Sequence, residues 1–104
     1  MFDSIRNLFS TEKTDYAQLV KDGAVILDVR TKGEYAGGHI KGSLNISIDQ
    51  LASHLDKLGD KNKPIITCCA SGMRSASAKS FLESKGYAKV YNAGGWSSLK
   101  SKLN

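Results

Sequence analysis

The stretch Ile65-Ile66-Thr67-Cys68-Cys69-Ala70-Ser71-Gly72-Met73-Arg74-Ser75 decides how the chain is read. Ile65 to Cys68 is β-branched or apolar throughout and lacks the polar alternation of a half-exposed strand, which predicts a strand buried on both faces. Cys69 to Arg74 reads as a loop, with Gly72 free to adopt backbone conformations closed to other residues. A helix follows, marked by Met73, Ala76, Phe81 and Leu82 and stopped by Gly86. Successive amides in such a strand-loop-helix turn can point inward and cradle negative charge. Cys69 would stand at the rim of that cradle, where the helix N-terminus and Arg74 both favour thiolate over thiol.

Working upstream, Ala24 to Val29 is a second run of buried-strand character. Thr31-Lys32-Gly33-Glu34 has capping-box spacing and starts a short helical turn that Gly37-Gly38 ends. Leu44-Asn45-Ile46 is a short strand, and Ser47 to Gln50 is a second capping box, opening a helix with the stripe Ile48, Leu51, Leu55 and Leu58 before Gly59. Nearer the start, Thr14 or Asp15 caps a helix that turns Tyr16, Leu19 and Val20 inward and stops at Gly23. Downstream, Val90-Tyr91-Asn92 is a last short strand, and Trp96, Leu99 and Leu103 line a terminal helix. Strands alternating with helices across short turns predict an α/β protein, a parallel sheet covered on both faces. Ligands of such sheets bind beyond the carboxyl ends of the strands, where Cys69 lies.

Composition narrows the function classes. With 104 residues, 40% of them hydrophobic, the chain suits one core, too small for separate cofactor and substrate domains. Its apolar runs are strand-sized, well short of the roughly 20 residues of a membrane span. The first nine residues lack a signal peptide's apolar core and cleavage site, so the cytoplasm is the default compartment. They do place Phe2, Ile5, Leu8 and Phe9 on one helical face, an amphipathic extension over residues 1–11 that docks on the domain of residues 12–104 or on a partner. The net charge of +5 comes from lysines spread singly without interleaved aromatics, a solvated basic surface suited to a small anion and not a nucleic-acid footprint. Cys68 and Cys69 are the only cysteines, and as neighbours they close almost no loop, so no disulfide framework is expected. No Cys/His set has zinc spacing, and neither a metal nor an organic cofactor is called for.

A thiolate at neutral pH can attack the outer sulfur of an anion such as thiosulfate and hold the product as a persulfide, which a second thiol or cyanide then removes. At this point the sequence resembles the rhodanese family over nearly all of residues 12 to 103. The likeness is carried by Leu27-Asp28-Val29-Arg30, by Glu34-Tyr35-Ala36-Gly37-Gly38-His39-Ile40-Lys41-Gly42-Ser43, by Cys69 to Ser75, and by Asn92-Ala93-Gly94-Gly95-Trp96, in that order. The resemblance implies a three-layer α/β/α rhodanese-like fold with a mostly parallel five-stranded sheet. It implies Cys69 as the persulfide-forming nucleophile, the amides of Ala70, Ser71, Gly72, Met73 and Ser75 as its cradle, and Arg74 as a binder of the substrate anion. The partners expected are a small anionic sulfur donor, a thiol acceptor, and a protein at either end of the transfer, with the chain a monomer or weak dimer.

Other side chains read as support. Cys68 falls on the opposite face of its strand and belongs to the core, with a resolving role the lesser reading. His39 sits in a structural turn where its ring bonds backbone groups, and Asp28 and Arg30 pair with each other or with nearby loops, with Glu34 beside them. Trp96 and Phe81 are core anchors, and the hydroxyls of Ser71 and Ser75 either donate to the persulfide or cap the helix. Two rival functions share the fold. Cysteine phosphatases and arsenate reductases separate their cysteine and arginine by five residues, whereas four separate Cys69 from Arg74, making a tighter cradle suited to one sulfur atom. A binding module without turnover is the other, and the presence of Cys69 and Arg74 speaks against it.

Overall fold

The computed structural model describes residues 14–104. The amphipathic face of Phe2, Ile5, Leu8 and Phe9, and with it the boundary at residue 12, lies outside the described residues.

Four strands form one sheet among the described residues: β1 (Val25–Asp28), β2 (Leu44–Asn45), β3 (Ile65–Cys69) and β4 (Val90–Gly95), in the order β2-β1-β3-β4. Every neighbouring pair is parallel. The sheet is therefore a strand short of the five expected and wholly parallel where it was expected mostly so. The long stretch between β2 and β3 adds no strand, because it carries its apolar residues at helical spacing and winds accordingly. From β1 the chain crosses to β2 on one side, and from β3 it crosses to β4 on the other. The carboxyl ends of β1 and β3 thus flank the point where strand order reverses, which is where ligands of open α/β sheets bind.

Period-two alternation sorts β3 between two core layers. Ile65 and Cys69 join Leu27, Val29, Leu51, Leu58, Ala78 and Leu82 on one face, while Ile66 and Cys68 join Ile26, Ile40 and Leu99 on the other. The first layer lies under α3 (Met73–Ser84) and two 3₁₀ helices (Ile48–Ser53 and Leu55–Leu58). The second lies under α1 (Tyr16–Lys21) and α4 (Trp96–Lys102), whose Leu19, Val20 and Trp96 pack partly buried against it. Helices therefore cover both faces, as the alternating pattern predicts.

Local signals explain most of these elements. The Asp15 carboxylate caps α1 by accepting from the Gln18 amide at 3.1 Å. In α2 (Lys32–Ala36) both halves of the Thr31–Glu34 capping box are made. The second expected capping box is not: the Ser47 hydroxyl donates to Asp49 Oδ1 at 2.8 Å and caps no amide. Ile48 and Leu51, then Leu55 and Leu58, repeat at intervals of three, the period of a 3₁₀ turn, and two short 3₁₀ helices replace the single α-helix expected there. On α3 the inward stripe is Ser75, Ala78 and Leu82, while Ala76 is exposed and Met73 is 80% exposed. Met73 and Ala76 fall out of phase with the stripe, so apolar character there does not mean burial.

Candidate active site

The site is built where β3 runs out and α3 begins. Gly72 is the N-cap of α3 at φ +114°, a conformation in which an L side chain is strained. A glycine N-cap has no side chain with which to satisfy the amides of the first helical turn. The sulfur of Cys69 serves as the acceptor in its place. Its Sγ accepts from the Gly72 amide at 3.0 Å and from the Ser75 amide, in the third helical position, at 3.4 Å. The thiol also lies 3.4 Å from Ser75 Oγ. That hydroxyl donates to Asn92 Oδ1 at 2.6 Å, and when the sulfur ionises its proton can turn toward it.

These contacts set the charge of the sulfur. Burial, the largest influence, pushes the Cys69 thiol up, but the Ser75 hydroxyl and the amides of Ser75, Gly72 and Ser71 together outweigh it and bring the thiol below its ordinary value. One position earlier, Cys68 lies on the other face with no such donors. Burial first, and then the charge of Asp28, push its thiol up to about 12.

Arg74 is paired across the rim. Its guanidinium is forked onto Glu34, Nη1 to Oε1 at 2.7 Å and Nη2 to Oε2 at 3.0 Å. The hydrogen bond from Arg74, followed by the Thr31 amide, holds the Glu34 carboxyl at about 2. Thr31 fixes this carboxylate from behind, its amide donating to Oε1 at 2.9 Å. The sulfur is thus held by amides and a hydroxyl, with the guanidinium engaged elsewhere on the rim. Of the remaining loop residues, Ala70 and Ser71 are exposed beside the sulfur and Met73 projects into solvent.

The supporting residues fall beneath and beside this rim. Arg30 forks onto Asp28, Nε to Oδ1 at 3.0 Å and Nη2 to Oδ2 at 2.7 Å, and also donates to the carbonyls of Gly38 at 2.7 Å and Glu34 at 3.2 Å. Its guanidinium lies 4.5 Å from the centroid of the Trp96 ring. The pair is buried, and the pairing raises Arg30 above its ordinary value, the hydrogen bond to Asp28 being the main cause. It ties the end of β1 to the α2 turn that carries Glu34. Gly38 must be small, because a Cβ there would stand 3.1 Å from the Trp96 ring. His39 donates from Nδ1 to the Tyr35 carbonyl at 2.8 Å and stacks on the Tyr35 ring at 3.8 Å, away from the sulfur and within its turn.

Asn92 is the residue that sequence reasoning passed over. Its Oδ1 receives both the Ser75 hydroxyl and, at 3.0 Å, the Gly94 amide. Pairing between β3 and β4 skips Ala93, Thr67 facing Asn92 and Cys68 facing Gly94, and this bulge brings Asn92 under the loop. Gly95 then passes so close to the loop that a Cβ would stand 3.1 Å from the Ala70 carbonyl. A groove of about 360 Å³ opens elsewhere, between Lys32, Gln50, His54 and Lys57, and Cys69 does not line it. Among the described residues no three His, Cys, Asp or Glu side chains gather to hold a metal ion, and no helix is long and apolar enough to cross a membrane.

Comparison with known proteins agrees with this geometry. A family model described as Rhodanese-like domain matches residues 12–102. Thiosulfate sulfurtransferase GlpE of Pseudomonas fluorescens is 34% identical over 82 residues, which cover 78% of this chain and 74% of that protein. Among solved structures, a rhodanese-related protein from Thermoplasma volcanium aligns with a TM-score of 0.72 at 33% identity, covering 86% of this chain and 93% of the other. A rhodanese with anions from E. coli aligns with a TM-score of 0.68 at 32% identity over 72% of this chain and 89% of its own.

Proposed function

The chain belongs to the rhodanese-like domain family, and from that premise we propose that it is a sulfurtransferase that carries a sulfane sulfur as a persulfide on Cys69. The observation that carries the reading is the Cys69 sulfur held by the Gly72 and Ser75 amides at the carboxyl end of β3. Residues 12–104 form the sulfur-transferring domain and residues 1–11 an extension to it. Two free cysteines suit the reducing cytoplasm.

The Cys69 thiolate attacks the outer sulfur of the donor. With thiosulfate, a sulfur–sulfur bond forms to Cys69 as the bond within thiosulfate breaks, and sulfite leaves with the electron pair. The persulfide anion rests in the loop, where inward amides and the Ser75 hydroxyl compensate its charge as they do that of the thiolate. A thiolate acceptor, or cyanide, then attacks the outer sulfur and Cys69 leaves as thiolate. Two half-reactions through one covalent intermediate give ping-pong kinetics. Cys69 is the nucleophile, and the segment from Ala70 to Ser75 surrounds the transferred atom. Asp28, Arg30 and Asn92 hold the walls. A phosphatase would need its arginine turned toward the bound oxyanion, and the fork from Arg74 to Glu34 argues against it.

Intact mass after exposure to thiosulfate tests the reading. The protein is expected to gain one sulfur atom, which cyanide removes, and Cys69→Ser is expected to gain none. Failure of the protein to gain sulfur from thiosulfate or from any low-molecular-weight persulfide would overturn it.

A further inference from the structure

The ion pair between Arg74 and Glu34 links two parts of the fold 40 residues apart and sits beside the proposed sulfur cradle. The loop carries one fixed cation, Arg74, and both of its forked nitrogens are committed to Glu34 at 2.7 and 3.0 Å. Glu34 is itself braced: the Thr31 amide and hydroxyl both donate to Oε1, at 2.9 and 3.1 Å, and the Arg30 guanidinium holds the Glu34 carbonyl. A carboxylate held near 2 stays ionised at every pH at which a thiolate can work, so the clasp does not open by titration in that range. The rim therefore presents a cancelled charge to an incoming donor, and the transferred sulfur is met by the amides of the loop.

We propose that Glu34 is a specificity-determining positioning residue that withholds Arg74 from the cradle and so biases sulfur uptake toward hydropersulfides, which react in their uncharged form, over dianionic thiosulfate. This deepens the sulfurtransferase reading and rests on it. The second charge of thiosulfate sits on its sulfonate oxygens, which project out of a cradle sized for one sulfur atom and toward the rim. There they meet a carboxylate as well as a guanidinium, and gain little. A hydropersulfide brings no such group: the Cys69 thiolate attacks its outer sulfur, the new sulfur–sulfur bond forms, and the donor leaves as an ordinary thiolate. The proton of the attacked sulfur stays on the new persulfide until solvent takes it.

Glu34→Gln is the discriminating variant, because glutamine also serves in the third position of a capping box and α2 should keep its cap. Initial rates are measured on the full chain with cyanide as acceptor and two donors, thiosulfate and the hydropersulfide of 2-mercaptoethanol, which carries no carboxylate. Releasing a partly exposed guanidinium to a dianion is expected to lower the thiosulfate KM roughly fivefold with kcat unchanged. The hydropersulfide KM should move less than twofold. The thiosulfate KM of the variant should also rise more steeply with added salt. Combining Glu34→Gln with Arg74→Gln should abolish the gain. If Glu34 instead presents Arg74 to the donor, Glu34→Gln raises the thiosulfate KM, and that result, or an unchanged ratio of kcat/KM between the two donors, overturns the proposal. Failure of the carrier reading looks different: the unmodified protein would then take no sulfur onto Cys69 from either donor.

Discussion

Replacing Gly72 by alanine tests whether the backbone of the loop, and not a charged side chain, makes Cys69 a thiolate. The backbone at Gly72 has φ +114°, and an added Cβ would come no closer to other atoms than 3.4 Å, to the Gly94 Cα. The difficulty is therefore in the dihedral angle and not in a clash. An L residue forced into a left-handed conformation costs about 1–2 kcal/mol. The loop can relieve that only by rotating the peptide whose N–H donates to Sγ at 3.0 Å. A hydrogen bond to a charged group contributes about 1.5–3 kcal/mol, so its loss should make ionisation of Cys69 at least about tenfold less favourable. The assay is the pH dependence of alkylation by iodoacetamide, followed by intact mass. Cys68, with its thiol pushed up to about 12, does not compete, so a single modification reports Cys69. The expected result is slower alkylation at neutral pH, with the titration displaced upward and rates converging at high pH. Gly72→Ala with an unchanged alkylation profile and a native circular dichroism spectrum would refute the reasoning, since the amide would then hold no part of the negative charge.

Asp28→Asn leaves the buried Arg30 guanidinium without its counter-charge, and removing one partner of such a pair costs about 3–5 kcal/mol, read as a lower urea midpoint. Because that is a large share of the roughly 5–15 kcal/mol typical of a domain, the variant is expected to be partly unfolded near physiological temperature. Cys68 gives a pH dependence of definite sign. Its folded value of about 12 stands above the unfolded value of about 8.5, so its contribution is fully present below the unfolded value and is lost as pH rises across that window. Cys68→Ala should remove up to about 1.4 kcal/mol of that loss per pH unit, and thermal melts with the same alkaline slope in both proteins would refute the assignment.

Which features were legible in the sequence follows from whether their cause is local. β3 was readable because burial on both faces leaves a run with no polar alternation. The Thr31–Glu34 box was readable because both partners lie within one turn. The same capping-box pattern at Ser47 to Gln50 misleads, because Asp49 captures the Ser47 hydroxyl first. The pairing of Arg74 with Glu34 was not legible, because the two meet only once α2 and α3 are brought together by the sheet. Asn92 was passed over for a similar reason: only the skipped residue in the pairing of β3 with β4 carries its side chain under Ser75. The strand count was inherited from a resemblance, and no pattern in the described residues supplies a fifth strand.

The adjacency of the two cysteines is what makes the chemistry of one of them separable from the other. Side chains alternate across a strand, so one position along β3 moves a thiol from the core layer beneath α4 to the layer beneath α3. Both thiols are buried, and burial alone would push both up. The difference lies in what the chain does next. For Cys69 the strand ends, the backbone turns through Gly72, and the first turn of α3 offers amides that no side chain caps. For Cys68 the ladder continues on both sides, its neighbours' amides are already spent in pairing, and Asp28 lies close by. A helix start with unfilled donors is thus the device that lowers the thiol, and it serves only the residue whose side chain leaves the sheet on the helix side. Arg74 is not needed for that step, which is why the fold can leave it paired with Glu34 and use the pair to sort donors.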